Sequence, residues 1–288
     1  MGKGSDAAGQ DGVGWLLVAL FAIGTFASAF VPSIAAVAGL LDYAVLLAFA
    51  IWHGGARYGR GRMVAAVAIM FALGMFLENV SIRTGFPFGY FYHSDMFGPK
   101  LLDVPYVVGL LYFTLSYPGW AAANLLLGEA DRDGKALSWL ALPLVAMFVP
   151  AALDATFDPV GATIARGWTF IGGGGYFGVP LSNFLGIMLV NALGFLIYAR
   201  YLASAPQAVR PGQSRGWWLQ PGVVLAIFAV APALGMLTQP DSLATDPGGT
   251  VWHAADIHEG LTVASLCSIA FLAVICILIA LRRGEDAS

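Results

Sequence analysis

Apolar residues in this chain run in long blocks, without the alternation of a half-buried strand or the single stripe of a soluble amphipathic helix. Windows of about 17 to 25 residues carry a helix across a bilayer. Such windows fall at 13–31, 34–52, 63–80, 104–127, 136–153, 181–203, 219–239 and 259–281. The blocks fill most of the chain and leave no stretch for a soluble domain. The expected fold is therefore all-α, a polytopic membrane helix bundle of about eight transmembrane helices in a single integral membrane domain over residues 1–288. Residues 1–12 read as a disordered tail and 284–288 as a C-terminal tail.

Charge sets the orientation. Of the 14 Lys and Arg, Lys3, Arg57, Arg60, Arg62, Arg132, Lys135, Arg200, Arg210, Arg215, Arg282 and Arg283 lie on one side of the eight-span layout, and only Arg83, Lys100 and Arg166 lie on the other. Cytoplasmic loops carry the basic excess, so both termini are expected in the cytoplasm, with the protein integral to the cell (plasma) membrane. The composition agrees, since 59% hydrophobic and 11% charged residues lie far from soluble-domain averages. The net charge of −3 gives no sign of a nucleic-acid partner. Ala27-Ser-Ala29 offers a signal-cleavage site, but the basic stretch before it is Lys3 alone and the apolar run is longer than a usual signal, so the first span reads as retained. Cys267 and Cys276 stand nine residues apart in the last span, too far along one helix to bridge, and read as packing residues.

The connections are lopsided. On the basic side they are short; on the outer side, residues 81–103, 154–180 and 240–258 are long and hold aromatic, Gly and carboxylate residues that the spans lack. Loops of that length in a compact membrane domain are usually functional or fold back over the bundle. Two of them repeat a phrase: Glu78 precedes Gly85-Phe-Pro-Phe-Gly-Tyr-Phe-Tyr92 and Val104-Pro105, and Asp154 precedes Arg166-Gly-Trp-Thr-Phe170 and Gly178-Val-Pro180. Spans three and five both run outward, so both acids arrive at the outer face.

These residues resemble a known family. Glu78 with Thr84-Gly-Phe-Pro-Phe-Gly-Tyr-Phe-Tyr92, Val104-Pro105, Asp154 with Asp158-Pro159, Trp168, and Gly175-Tyr-Phe-Gly-Val-Pro-Leu-Ser-Asn-Phe184 look like the carotenoid biosynthesis membrane proteins that include the carotenoid 1′,2′-hydratases and bisanhydrobacterioruberin hydratase. The resemblance is good over about 60–200 and looser over the whole chain. Two departures, Leu185-Gly186-Ile187 where the family tends to have Gly-Trp and Phe170 where it tends to have Trp, bear on the substrate more than on the fold.

The resemblance implies addition of water across the terminal C1–C2 double bond of an acyclic carotenoid, with the lipid bilayer as host and other carotenoid-pathway enzymes as partners. Such a reaction needs no cofactor, and the chain has no G-x-G-x-x-G, Walker loop or Cys-x-x-Cys-His. An alkene is a poor base, so a carboxylic acid must be held protonated, and apolar surroundings favour that form of a carboxyl. Glu78 is the first expectation for the general acid and Asp154 the second, the two being able to exchange roles, with Asp158 to deprotonate water. Tyr90, Tyr92, Trp168 and Tyr176 would offer aromatic faces to the cation. Asn183 would position water. Against this stand plainer roles: acids in the headgroup region paired with Arg83 or Arg166, and aromatics as interfacial anchors.

Two other classes stay open at this point. His93, His253 and His258 share the outer side and are enough in number for a catalytic zinc, which would make the chain a metal-dependent intramembrane lipid hydrolase. The spacing of His253 and His258 does not stack them on one helical face. The other class is a non-enzymatic carotenoid or lipid binding or transport protein, since intramembrane acids such as Asp42 occur in transporters too.

Overall fold

The computed structural model describes residues 2–132 and 135–283. Its helices are α1 (Gly2–Phe30), α2 (Ala35–Tyr58), α3 (Arg60–Thr84), α4 (Tyr106–Leu126), α5 (Ala136–Ala146), α6 (Phe148–Pro159), α7 (Leu181–Ala203), α8 (Arg215–Thr238), α9 (Ala254–Ser265) and α10 (Phe271–Arg282). α5 and α6 act as one rod, continued by a π-helical turn at Val160–Ile164, and α9 joins α10 through another at Leu266–Ala270. This is a polytopic helical membrane protein. α1 starts at Gly2 and so takes in residues 2–12, where a disordered tail is expected from sequence. Within that stretch Asp11 is tied to the start of α8: its carbonyl accepts from Gln220 at 3.1 Å and its carboxylate accepts from Ser214 at 2.5 Å. The tail at 284–288 lies outside the described residues.

Among the described residues seven rods are long and apolar enough to cross a membrane, and α4 is not in that set. α4 carries Tyr112, Thr114, Ser116, Tyr117, Trp120 and Asn124, all buried. It can be polar because it touches protein rather than lipid: α2, α3, α5, α6, α7, α8 and α10 all pack on it. Gly119 lets α6 come close, for a Cβ there would lie 2.9 Å from the Ala146 carbonyl and 2.8 Å from Val149.

The basic end of the bundle is locked. Arg57 is fully buried; its Nε and Nη2 donate to Asp131 at 2.8 and 2.5 Å, and its Nη1 donates to Glu129 at 3.1 Å. Tyr58 donates to the same Asp131 at 2.6 Å, and Arg283 reaches Glu129 at 2.9 Å. His53 Nε2 lies 2.9 Å from the Trp217 carbonyl. That carbonyl has lost its helical donor because Pro221, four residues on, has no N–H.

The outer end carries three small antiparallel sheets: β1 (Phe91–His93) with β4 (Trp168–Phe170), β2 (Lys100–Leu101) with β3 (Val104–Pro105), and β5 (Leu243–Thr245) with β6 (Val251–His253). The β1–β4 pair joins the two repeated phrases of the sequence, with Phe91 opposite Phe170, Tyr92 opposite Thr169 and His93 opposite Trp168. Opposed residues of an antiparallel pair point to the same face and alternate along each strand. Phe91, His93, Trp168 and Phe170 therefore share one face, and that face roofs a cavity. Gly85 makes the turn into this lid, ending α3 at φ +80° in the left-handed region that glycine adopts without strain.

Candidate active site

Beneath the lid, α3, α4, α6 and α7 enclose a cavity of about 110 Å³. Along α7 it is lined by Asn183, Ile187 and Asn191, four residues apart, so it is about 12 Å deep at 1.5 Å rise per residue. Its walls are apolar and ringed: Phe88, Phe91, Phe97, Phe157, Trp168 and Phe170 all face it. Polar groups gather at the roof, with one more pair on the floor, where Ser116 donates to Asn191 and Asn191 Nδ2 donates to the Ile187 carbonyl at 2.8 Å.

On one wall stands Glu78, buried near the end of α3. Tyr112 of α4 donates to its Oε1 at 2.8 Å, and His93 Nε2 lies 2.6 Å from its Oε2. Gly74, one turn before Glu78, makes room for this contact, since a Cβ there would meet the Tyr112 ring at 2.2 Å. The lid strand bearing His93 is pinned from below and beside: Lys100 Nζ donates to the His93 carbonyl at 2.9 Å and the Ser94 amide donates to the Gly167 carbonyl at 2.9 Å. Lys100 also pairs with Asp95 at 2.7 Å and, by that hydrogen bond, holds the Asp95 carboxyl below its usual range.

On the opposing wall α6 presents Asp154 and Asp158, four residues apart and so on one face. A single nitrogen, Asn183 Nδ2, donates to Asp154 and to Asp158, at 2.7 Å each. Trp168 of the lid lines the same cavity as Asp158. Gly161 admits that ring, for a Cβ there would lie 2.3 Å from it. Among the described residues none of the three cavity carboxylates has a Lys or Arg partner; Arg83 pairs instead with Asp103 at 2.9 Å, and Arg166 donates to the Thr245 carbonyl at 2.6 Å.

The structure thus brings together Glu78, Asp154, Asp158, Trp168 and Asn183, five of the residues expected from sequence. It leaves out the tyrosines. Tyr90 and Tyr92 are 51% and 52% exposed on the outer side of the lid, because the pleat that turns Phe91 and His93 inward turns Tyr92 outward. Tyr176 does not line the cavity; its hydroxyl donates to the Ala155 carbonyl at 3.0 Å. Tyr112, the ring residues other than Trp168, Ser116, Asn191 and the contact of His93 with Glu78 are absent from the sequence reading. Alternation in Phe91-Tyr-His93 and the four-residue spacing of Tyr112 and Ser116 in an apolar helix were the available signals.

The three histidines of the zinc reading do not converge. His93 sits in this cavity, His253 pairs with Asp241 at 3.1 Å on the surface, and His258 packs on Gly235 in a separate groove beside Thr25 and Gln239. Among the described residues no group of three or more His, Cys, Asp or Glu is arranged to hold a metal ion. Asp42 is also apart, against Gly24 and 3.4 Å from the Thr25 hydroxyl.

A family model described as carotenoid biosynthesis protein matches residues 34–243. The chain belongs to that family. All the residues lining the cavity fall within the matched stretch, while His253 and His258 fall outside it. The bisanhydrobacterioruberin hydratase of Haloarcula japonica is 30% identical to this chain over 125 residues, 42% of this chain and 40% of that protein. The match therefore spans less than half the length of that relative. No solved structure matches the chain. Family membership and the hydratase relative support a carotenoid-modifying role for this membrane protein.

Proposed function

We propose that this protein is a carotenoid hydratase of the cell membrane, adding water across the terminal C1–C2 double bond of an acyclic carotenoid end group. The observation that carries the reading is the pair of carboxyl stations, Glu78 on one wall and Asp154 with Asp158 on the other, facing one aromatic cavity. The cavity is too short for a carotenoid long enough to span a hydrocarbon core of about 30 Å. It suits one end group, with the polyene continuing into the bilayer.

Asp154 and Asp158 are the better acid. Two carboxyls facing one amide nitrogen repel unless one of them carries a proton, and that proton is available to an alkene. Glu78 is already engaged by the Tyr112 donor and by His93, which suits an acceptor. This reverses the first expectation from sequence. In the reaction the π pair of the alkene takes the proton from the aspartate pair to form a C–H bond at C2, leaving a tertiary cation at C1. The ring faces of Phe88, Phe91, Phe157, Phe170 and Trp168 stabilise that cation. A water oxygen bonds to C1, and its proton passes to Glu78. Alkene and water give an alcohol with no change of electron count, so the chemistry calls for no redox cofactor.

The test is expression in cells that make an acyclic carotenoid, with and without Asp154→Asn. A product heavier by one water, lost in the variant, is expected. Carotenoid that copurifies with the chain but never gains water would replace this reading with a binding or transport role.

A further inference from the structure

We infer that His93 is a proton relay that resets Glu78 in each turnover, an assignment that rests on the hydratase reading. Glu78 ends the reaction holding the proton of the attacking water and must lose it before the next cycle. It is buried, and the shortest of its contacts is the 2.6 Å approach of His93 Nε2. An imidazole takes a proton at one nitrogen and releases it from the other.

His93 has that second nitrogen in reserve. The residue is 8% exposed, and among the described residues its Nδ1 is buried with no hydrogen-bond partner. An unmatched buried polar atom is costly and uncommon. The contrast with His53 is direct: also buried, it has Nδ1 2.5 Å from the Tyr117 hydroxyl and Nε2 2.9 Å from a carbonyl. The hydroxyl of the next residue, Ser94, is likewise buried and unmatched. Beyond Ser94 come Asp95 and Met96, which are exposed at the outer end. His93 thus stands between buried Glu78 and the exposed Asp95 and Met96, on a segment whose backbone is anchored by Lys100 and Gly167.

The step balances. Protonated Glu78 gives its proton to Nε2, the imidazolium releases its Nδ1 proton to water, exchange with water returns the ring to the tautomer that accepts at Nε2, and the aspartate pair takes one proton back from water. No electrons move, and the cycle consumes no net proton.

The experiment compares the intact protein in lipid vesicles with His93→Ala and His93→Gln, assaying hydration of an acyclic carotenoid with added imidazole. A relay predicts that kcat falls about tenfold or more in both variants with KM within about twofold, and that imidazole restores His93→Ala in a saturable way while leaving the wild type unchanged. Wild-type kcat in either variant overturns the relay. A loss in both that no imidazole relieves assigns His93 to holding the lid and overturns it equally. Absence of hydration in the wild type overturns the hydratase reading and the relay with it, an outcome distinct from the first two.

Discussion

The Tyr176 hydroxyl donates to the Ala155 carbonyl at 3.0 Å, and Ala155 is the residue whose helical hydrogen bond Pro159 removes. A helical carbonyl four residues before a proline has no backbone donor, and here a loop tyrosine supplies one, just before the π-helical turn that carries the chain out of α6. Burial pushes the Tyr176 phenol above its usual range, which keeps it a donor at working pH. Tyr176→Phe is expected to cost about 1–3 kcal/mol of stability, the penalty of an unmatched carbonyl. Turnover per folded molecule should stay near wild type. Thermal unfolding alongside the hydration assay checks both.

Asp154 and Asp158 are expected to act as a unit. Asp154→Asn and Asp158→Asn should each lower kcat by about 10²–10⁴, the usual contribution of a positioned acid or base. The double variant should lose little more than the worse single, because groups that work together are not additive. Multiplied losses in the double variant would show two independent roles.

The pleat of the lid separates neighbours. Tyr92→Ala and Tyr90→Ala alter the exposed side and should leave kcat within about twofold, whereas Trp168→Ala removes a cavity ring. Loss of one cation–π face is worth about 2 kcal/mol when desolvated, so the Trp168 variant should turn over roughly thirtyfold more slowly at that ratio. Single-turnover rates on the three variants make the comparison.

Gly74 is expected to be a sensitive position although it touches no substrate. A Cβ at this site would press on the Tyr112 ring, the donor to Glu78. Gly74→Ala should lower kcat with little loss of helix, and Gly74→Ala combined with Tyr112→Phe should be no worse than Tyr112→Phe alone. Hydration rates and far-ultraviolet circular dichroism check the pair.

How much of this was legible in the sequence follows from what each residue touches. Membrane helices declare themselves because lipid-facing positions must be apolar, and the spans read from the sequence match the rods to within a few residues at most ends. α4 is less apolar because it is buried in protein, yet its length and position were still readable. The acids were legible because carboxylates are rare in such a chain. The tyrosines were misplaced because aromatic character was read without direction: in Phe91-Tyr-His93 the pleat alone decides which ring faces the cavity. Tyr112 and Asn191 were missed because a polar residue inside an apolar helix has no meaning until its facing helix is known. The pairing of the two repeated phrases as β1 and β4 is a long-range contact that neither phrase encodes alone.

The central claim is most directly tested with the purified protein in lipid vesicles, an acyclic carotenoid, and water enriched in both deuterium and oxygen-18. The account predicts one product heavier than the substrate by one labelled water, with deuterium at C2 and the heavy oxygen at C1. Oxygen drawn from dissolved dioxygen, deuterium absent from C2, or recovery of unchanged substrate would contradict it.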